Sequence, residues 1–175
     1  ERLDPRFIEC AASCGITDTY NGRGVALADF DLNGTMDIYV ANQGAASCYY
    51  LNEPNGEHRH PAGESPGFLR VTLVGRPDQP ITVGDRALAS SRDAVGGRVT
   101  IQTKRGLQMR EVQGGQGFSA QSEYAIHFGV PDPAAVEKIV IRWPSSRVQE
   151  FTADEARRLV NHHVDQLFLD QLLEN

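Results

Sequence analysis

Short apolar runs separated by turn residues fill the first third of the chain. From Gly24 to Asn42 the letters GVALADF, DLNGTMD and IYVAN form two β-type runs around a polar turn, and Cys48 begins a third short strand. Runs bounded in this way are typical of β-hairpins. The stretch that ends at Gly67 then becomes rich in Pro, Gly, Asn and His, which predicts a domain boundary near residues 60–66.

From Phe68 onward, apolar and polar positions alternate in a series of short runs. Alternation with a period of two places the apolar side chains on one face of a strand. Five or more such strands, separated by Gly and Pro, indicate an antiparallel β-sandwich or a barrel-like domain. The pattern therefore predicts an all-β fold with a hairpin unit over residues 1–60 and a β domain over residues 66–175. The predicted core residues are Val71, Val99, Ile101, Val112, Phe128, Ile139, Ile141 and Trp143.

The C-terminal tail carries a helix-start signal. Thr152 and Glu155 have the spacing of a capping box, and good helix formers follow them. The later letters LFLD fit either a last strand or part of a second helix. We predict a short helix near the C-terminus, followed by a strand.

Composition and charge narrow the classes of function. The chain has 175 residues and a formal net charge of −6, so a nucleic-acid partner is not expected. No window holds the roughly 18 uninterrupted apolar residues of a membrane helix, so we expect no membrane insertion. Because the sequence begins at Glu1 rather than Met, we interpret it as a fragment or processed product.

The three cysteines lack the paired spacing of a zinc site or a redox dithiol. In an extracellular protein, Cys48 would pair with Cys10 or Cys14 and leave one free thiol. In the alternative, all three are buried thiols that pack as small hydrophobic residues. The sequence leaves both interpretations open.

The polar turn between the first two strands has the pattern of a cation-binding loop. Oxygen-bearing side chains recur at loop positions 1, 3, 5 and 9, and Gly34 at position 6 permits a tight reversal. A backbone carbonyl at position 7 and water would complete the six to eight oxygen ligands that calcium takes. The predicted Ca²⁺ ligands are Asp29, Asp31, Asn33, Thr35 and Asp37.

The architecture around this loop excludes an EF-hand. An EF-hand needs a bidentate Glu at position 12 and flanking helices, whereas position 12 is Val40 and the flanks are strand-like. The intervening apolar residues Phe30, Leu32 and Met36 are expected to point away from the ion, toward the core. An Asx-rich turn without an ion is the alternative, because Asp and Asn favour turns by bonding to their own backbone.

The segment GRGVALADFDLNGTMDIYVANQG resembles the FG-GAP or VCBS repeat of integrin-type β-propellers. The resemblance implies calcium binding by Asp29, Asp31, Asn33 and Asp37 and a propeller-derived, blade-like hairpin. Only one such repeat is recognisable, whereas a propeller needs typically 4–8 blades. Residues 1–60 are therefore expected to be the last blade of a propeller, or part of it.

The pieces AVGGRV, REVQGGQGFSAQS, HFGV and IRWPSSRVQEF occur in the order of an ASPIC/UnbV domain. The resemblance runs from about Phe68 to Phe151, and in the cartilage acidic protein family and its bacterial relatives this domain follows FG-GAP repeats. It implies a secreted or extracytoplasmic protein.

Several other residue groups have a structural and a functional interpretation. The glycines from Gly114 to Gly117 fit a tight turn better than an anion-binding nest. Trp143 fits a core position better than a sugar-stacking platform. The pair His58 and His60 lies in a Pro/Gly-rich stretch without a third metal ligand, and the adjacent His162 and His163 would point to opposite sides of a strand.

No nucleophile elbow, Cys/His pairing, phosphate loop or carboxylate pair outside the calcium loop is recognisable. We therefore expect a non-catalytic, calcium-stabilised module that presents a surface to a protein or glycan. The alternative is a small-molecule-binding or enzymatic protein associated with natural-product biosynthesis, for which a deep polar pocket near Gln113 to Gln121 would be the sign.

A lone hairpin buries too little apolar surface to be stable. Residues 1–60 are therefore expected either to pack on the β domain or to mediate self-association. The apolar residues that must be covered in either arrangement are Val25, Leu27, Ile38 and Val40.

Overall fold

The computed structural model describes residues 7–53 and 67–156. These residues form an all-β fold of antiparallel sheets, with 3₁₀ turns at Ala12–Cys14 and Pro133–Ala135 and a short helix that begins at residue 153. The predicted all-β class and the short C-terminal helix are confirmed. No helix among the described residues is long and apolar enough to cross a membrane.

The first three strands form an antiparallel sheet in the order β1-β2-β3. They are β1 (Gly22–Ala28), β2 (Asp37–Asn42) and β3 (Cys48–Tyr50). In the register, Val25 lies opposite Val40 and Ala28 lies opposite Asp37, so the predicted cation loop is the connection between β1 and β2. The predicted domain boundary at residues 60–66 lies outside the described residues.

Three further sheets follow Gly67. In chain order their strands are β4 (Phe68–Val71), β5 (Ile81–Val83), β6 (Arg86–Leu88), β7 (Arg98–Thr103), β8 (Gly106–Glu111), β9 (Ile126–Gly129), β10 (Val136–Arg142) and β11 (Val148–Thr152). One sheet has the order β11-β10-β7-β8, β4 pairs with β9, and β5 pairs with β6.

The four-stranded sheet and the β4-β9 pair share one hydrophobic core. Every one of the eight predicted core residues is buried, because each lies at an inward position of an alternating strand or at a strand end. Trp143 is among them, and its ring nitrogen donates to Gln149 Oε1 at 2.6 Å. The core interpretation of Trp143 is therefore confirmed.

The side chain of Glu155 makes its half of the capping box predicted in the tail. The backbone N–H and the hydroxyl of Thr152 donate to the Glu155 carboxylate at 2.7 and 2.8 Å. These bonds satisfy a backbone donor at the first turn of the helix. The later letters LFLD and the histidines 162 and 163 lie outside the described residues, as do those at 58 and 60.

The hairpin sheet contacts the β domain through the free edge of β1. The Leu27 N–H donates to Ser122 Oγ at 3.0 Å, and the Glu123 N–H donates to the Leu27 carbonyl at 3.2 Å. Gly24 lies so close to Ala120 that an added Cβ would sit 3.2 Å from the Ala120 Cβ. These contacts occupy backbone groups that would otherwise be open to another strand.

Because this contact is made edge-on, it leaves one face of the hairpin sheet open. Val25 is 46% exposed and Leu27 37% exposed, and Ile38 and Val40 are half-buried. Packing on the β domain therefore leaves Val25 and Leu27 partly exposed, and the alternative, self-association through residues 1–60, stays a prediction. The strand edge, and not the apolar face, makes the contact.

Candidate metal centre

The loop between β1 and β2 brings three carboxylates together. Asp29, Asp31 and Asp37 each offer one oxygen, and these oxygens lie within 4.8 Å of one another. Asp29 and Asp37 are buried, whereas Asp31 is exposed. Within the described part of the chain, this is the one group of acidic, His and Cys residues with that geometry.

Backbone amides of the loop hold the first carboxylate. Asp29 accepts hydrogen bonds from the Asn33 N–H at 3.0 Å and the Gly34 N–H at 2.9 Å. Gly34 has a φ of +89°, and an added Cβ would lie 2.2 Å from the ring of Phe68. Glycine is therefore the residue that fits this reversal.

Asp37 is held from the opposite side of the loop. Its fully buried carboxylate accepts from the Phe30 N–H at 3.0 Å and from the Asn52 N–H at 2.7 Å, with the Tyr49 hydroxyl at 3.5 Å. Two backbone donors thus point at a carboxylate that water does not reach. Hydrogen bonds to an ionised group are the stronger kind.

The other two predicted ligands are linked to each other. Asn33 Oδ1 accepts from the Thr35 N–H at 2.8 Å and from the Thr35 hydroxyl at 2.6 Å, while Asn33 Nδ2 donates to Asp31 Oδ2 at 3.0 Å. All five predicted ligand residues therefore lie in one loop and take part in its hydrogen bonds. These bonds are also those of an Asx turn, so by themselves they do not distinguish the two interpretations of the loop.

The sequence interpretation missed Asn52, which follows β3. Its N–H donates to Asp37, and its carbonyl accepts from Asn33 Nδ2 at 3.2 Å and from the Thr35 hydroxyl. Its Oδ1 is buried without a hydrogen-bond partner among the described residues. The position lies outside the loop spacing, so no local signal marks it.

Negative charge dominates this region. Among the described residues, no ion pair joins a basic side chain to any of the three carboxylates. Partial burial raises the pKa of Tyr49, and the charges of Asp37, Asp31 and Asp29 raise it further. Clustered carboxylates repel one another unless a cation or a proton compensates them.

Two apolar loop residues do not point inward. Phe30 is 50% exposed and Leu32 72% exposed, so the prediction that they face the core is wrong, whereas Met36 is half-buried. Alternation between two faces holds only for extended backbone. Leu32 has a φ of +59°, so the chain leaves the extended conformation there, and Phe30 instead meets Tyr49 edge-on at 5.3 Å.

The three cysteines are free. Cys10 and Cys14 are exposed and Cys48 is half-buried, so neither the predicted disulfide nor the set of three buried thiols is observed. Hydrogen bonding to Asp18 raises the pKa of the Cys48 thiol, and the neighbouring Cys14 raises that of Cys10. The 3₁₀ turn at Ala12–Cys14 keeps Cys10 and Cys14 close to each other, and the Cys14 N–H donates to the Cys10 carbonyl at 2.9 Å.

Two contacts join the loop to the β domain. The Gly34 carbonyl and His127 Nε2 are hydrogen-bonded at 2.9 Å, and the His127 ring stacks on Phe68 with centroids 5.4 Å apart. The Glu123 carboxylate forms an ion pair with Arg70 at 2.6 Å and accepts from the Asp29 N–H at 3.4 Å. The loop is therefore positioned by residues from both parts of the chain.

Replacing Glu123 with Ala is expected to lower the free energy of unfolding by about 1–3 kcal/mol, because the partly buried Arg70 charge loses its partner. We also expect faster hydrogen exchange at the β1 amides. The control is Glu150→Ala, which removes an ion pair of the same length to Lys138 at an exposed site. An effect of Glu123→Ala no larger than that of the control, in urea unfolding, would contradict the prediction.

The second part of the chain is similar to known proteins. Residues 87–165 match the family model described as ASPIC and UnbV. Cartilage acidic protein 1 of Homo sapiens is 41% identical over 75 residues, which is 42% of this chain and 11% of that protein. The Mus musculus protein of the same name is 39% identical over 70 residues, 39% of this chain and 11% of its own length.

The chain thus matches about a tenth of the length of these relatives. The family match begins after the candidate metal loop, so the FG-GAP or VCBS resemblance of residues 1–60 stays a prediction. The ASPIC/UnbV part of the resemblance is supported: residues 87–165 of this chain match that domain family.

Proposed function

We propose that this protein is a non-catalytic, extracellular interaction module whose β1-β2 loop binds calcium. The observation that carries the proposal is the convergence of Asp29, Asp31 and Asp37 within 4.8 Å, with no basic side chain paired to them among the described residues. Such a site suits a hard cation, because calcium prefers several oxygen ligands.

The donor set fits calcium better than a transition metal. It consists of carboxylate, amide and carbonyl oxygens, whereas imidazole or thiolate ligands would favour zinc or copper. Asn33 and Thr35 would complete the set from within the loop. Asn52 would add an oxygen from outside it, since its buried Oδ1 lacks a partner among the described residues. Bound calcium would supply the compensating charge and cross-link the loop to the end of β3.

An extracellular location suits a calcium site of this kind. Extracellular calcium modules bind with dissociation constants of about 10⁻⁴–10⁻³ M. The relatives that match the second part of the chain are named cartilage acidic protein 1. We propose that this protein works in a similar setting, where calcium rigidifies the hairpin and the protein binds a protein or glycan.

Exposed aromatic side chains support a binding role. Tyr39, Tyr49 and Phe118 are 40%, 45% and 71% exposed. Aromatic residues are enriched where proteins make contacts, because they bury a large area at little entropic cost. Self-association through the open face of the hairpin sheet remains part of this proposal.

Calcium is expected to raise the melting temperature of the protein. A ligand that binds only the folded state adds about 2.7 kcal/mol at a hundredfold excess over its dissociation constant. Asp31→Ala should abolish this rise without unfolding the protein, because Asp31 is exposed. The measurement is calorimetric melting with added calcium or with EGTA.

Asp85→Ala is the matched control, because Asp85 is an exposed acidic residue in the turn between β5 and β6. It should keep the full calcium response. If calcium and EGTA give the same melting curve for the unmodified protein, the loop is an ion-free Asx turn and the calcium proposal fails.

A further inference from the structure

A cavity of about 320 Å³ lies where the hairpin sheet meets the β domain. Leu27 and Met36 form its wall on the hairpin side, and residues 110–113, 116 and 121–127 form the rest. Small-molecule sites usually have volumes of about 300–1,000 Å³ and often lie between structural units. The volume of this cavity lies at the lower end of that range.

Three glutamine side chains contribute to the polar part of this cavity, and two of them, Gln113 and Gln121, are exposed. Gln116 Nε2 donates to Gln113 Oε1 at 2.8 Å, and the Ser122 hydroxyl donates to Gln116 Oε1 at 2.6 Å. Gln121 Nε2 donates to the carbonyls of Gln113 and Ser122 at 2.9 and 2.8 Å. This network fixes the amides and leaves Gln113 Nε2 as a donor and Gln121 Oε1 as an acceptor, neither bonded to another described residue.

The two acidic residues that line the cavity are ion-paired. Glu111 pairs with Arg98 and Glu123 pairs with Arg70. The Arg110 guanidinium lies over the Phe128 ring, 5.7 Å from its centroid, and donates to the Met109 carbonyl, but it keeps its positive charge. Apart from Arg110, the amides and hydroxyls of the lining are neutral donors and acceptors, which suit the hydroxyl groups of a sugar.

The loop that presents these amides has a constrained backbone. Gly117 and Ser119 have φ values of +67° and +51°, and the Gln116 N–H donates to the Ala120 carbonyl at 2.9 Å. A left-handed conformation is uncommon at a serine, so the backbone of this turn is held in a defined shape. Tyr124, which is 40% exposed, adds an aromatic ring and a hydroxyl to the cavity lining.

We propose that this amide-lined cavity binds a neutral saccharide of one or two rings. Sugar hydroxyls both donate and accept, which matches the free amide donor of Gln113 and the free acceptor of Gln121. Tyr124 can pack against the apolar face of a sugar ring. The proposal deepens the proposed interaction role by naming a partner class, and it does not depend on calcium.

The test is a titration of the ¹⁵N-labelled protein, followed by NMR of the Gln side-chain amides. The probes are the methyl glycosides of glucose, galactose, mannose and N-acetylglucosamine, together with lactose and cellobiose. We expect saturable shifts of the amides of Gln113, Gln116 and Gln121 with at least one probe. Gln121→Ala should weaken that binding at least tenfold, and Gln79→Ala, at an exposed turn outside the cavity, should leave it unchanged.

Gln121→Glu keeps the size of the side chain but loses the two bonds from Nε2 to the carbonyls of Gln113 and Ser122 that hold it in place, so it should also weaken binding. This variant provides the test if the alanine variant fails to fold. The absence of saturable shifts with every neutral probe would overturn the proposal, as would binding of glucuronate alone. Equal affinity in the Gln121 variants would overturn it too. Each titration is run with calcium and with EGTA, so that saccharide binding without a calcium response separates this site from the metal proposal.

Discussion

Asp37→Ala is expected to lower the free energy of unfolding by about 2–4 kcal/mol even in calcium-free buffer, because buried donors lose their acceptor. The Asp37 carboxylate is fully buried and accepts from the N–H groups of Phe30 and Asn52. Alanine would leave both donors without their acceptor. Urea unfolding measured by circular dichroism gives the change.

Two further variants separate the structural role of Asp37 from calcium binding. Asp37→Asn keeps one acceptor oxygen at the same place, so we expect a smaller loss of stability together with loss of the calcium response. Asp31→Ala changes an exposed side chain, so it should cost about 0.5 kcal/mol or less in calcium-free buffer. If Asp37→Ala proves as mild as Asp31→Ala without calcium, the buried hydrogen bonds of Asp37 do not stabilise the loop.

Phe128→Ala is expected to cost about 3–5 kcal/mol, because it removes a fully buried ring and leaves a cavity. Phe128 lies on β9 opposite Leu69 of β4, and its side chain has no exposed surface. The ring therefore belongs to the core that the β4-β9 pair shares with the four-stranded sheet. The measurement is the midpoint of urea unfolding. It reports stability as long as the variant and the unmodified protein have the same dependence of the unfolding free energy on urea concentration.

The matched control for this variant is Phe118→Ala. Phe118 is 71% exposed, so the same change of side chain should alter stability by about 0.5 kcal/mol or less. A loss below about 1 kcal/mol for Phe128→Ala would mean that the two sheets do not share a tightly packed core.

The alternation of apolar residues was sufficient to predict the core of the β domain. Val99 and Ile101 on β7, and Ile139 and Ile141 on β10, are all fully buried, as their spacing predicts. One face of each of these two strands packs toward the core, so the period of two predicts which residues are buried. On β8 the alternating residues Leu107 and Met109 are instead 70% and 52% exposed. The same rule failed at Phe30 and Leu32, because the loop backbone there is not extended.

The spacing of the acidic loop also predicted which side chains converge. Asp29, Asp31 and Asp37 lie close in sequence, so a short turn with Gly34 is enough to bring their oxygens together. The hydrogen-bond partners of these carboxylates could not be predicted from the spacing alone. Asn52 reaches the loop only because β3 pairs with β2. The spacing of residues within one loop does not predict which strands pair.

The sequence by itself determined the β class, most of the strands that carry the core of the β domain and the convergence of the loop acids, because each depends on residues that are close in the chain. Only the tertiary structure decided that the edge of β1 docks on the β domain, through Leu27 and Ser122, which are 95 positions apart. That docking creates the amide-lined cavity and leaves one face of the hairpin sheet open. Contacts between such distant residues depend on how whole sheets pack, so local periodicity carries no information about them.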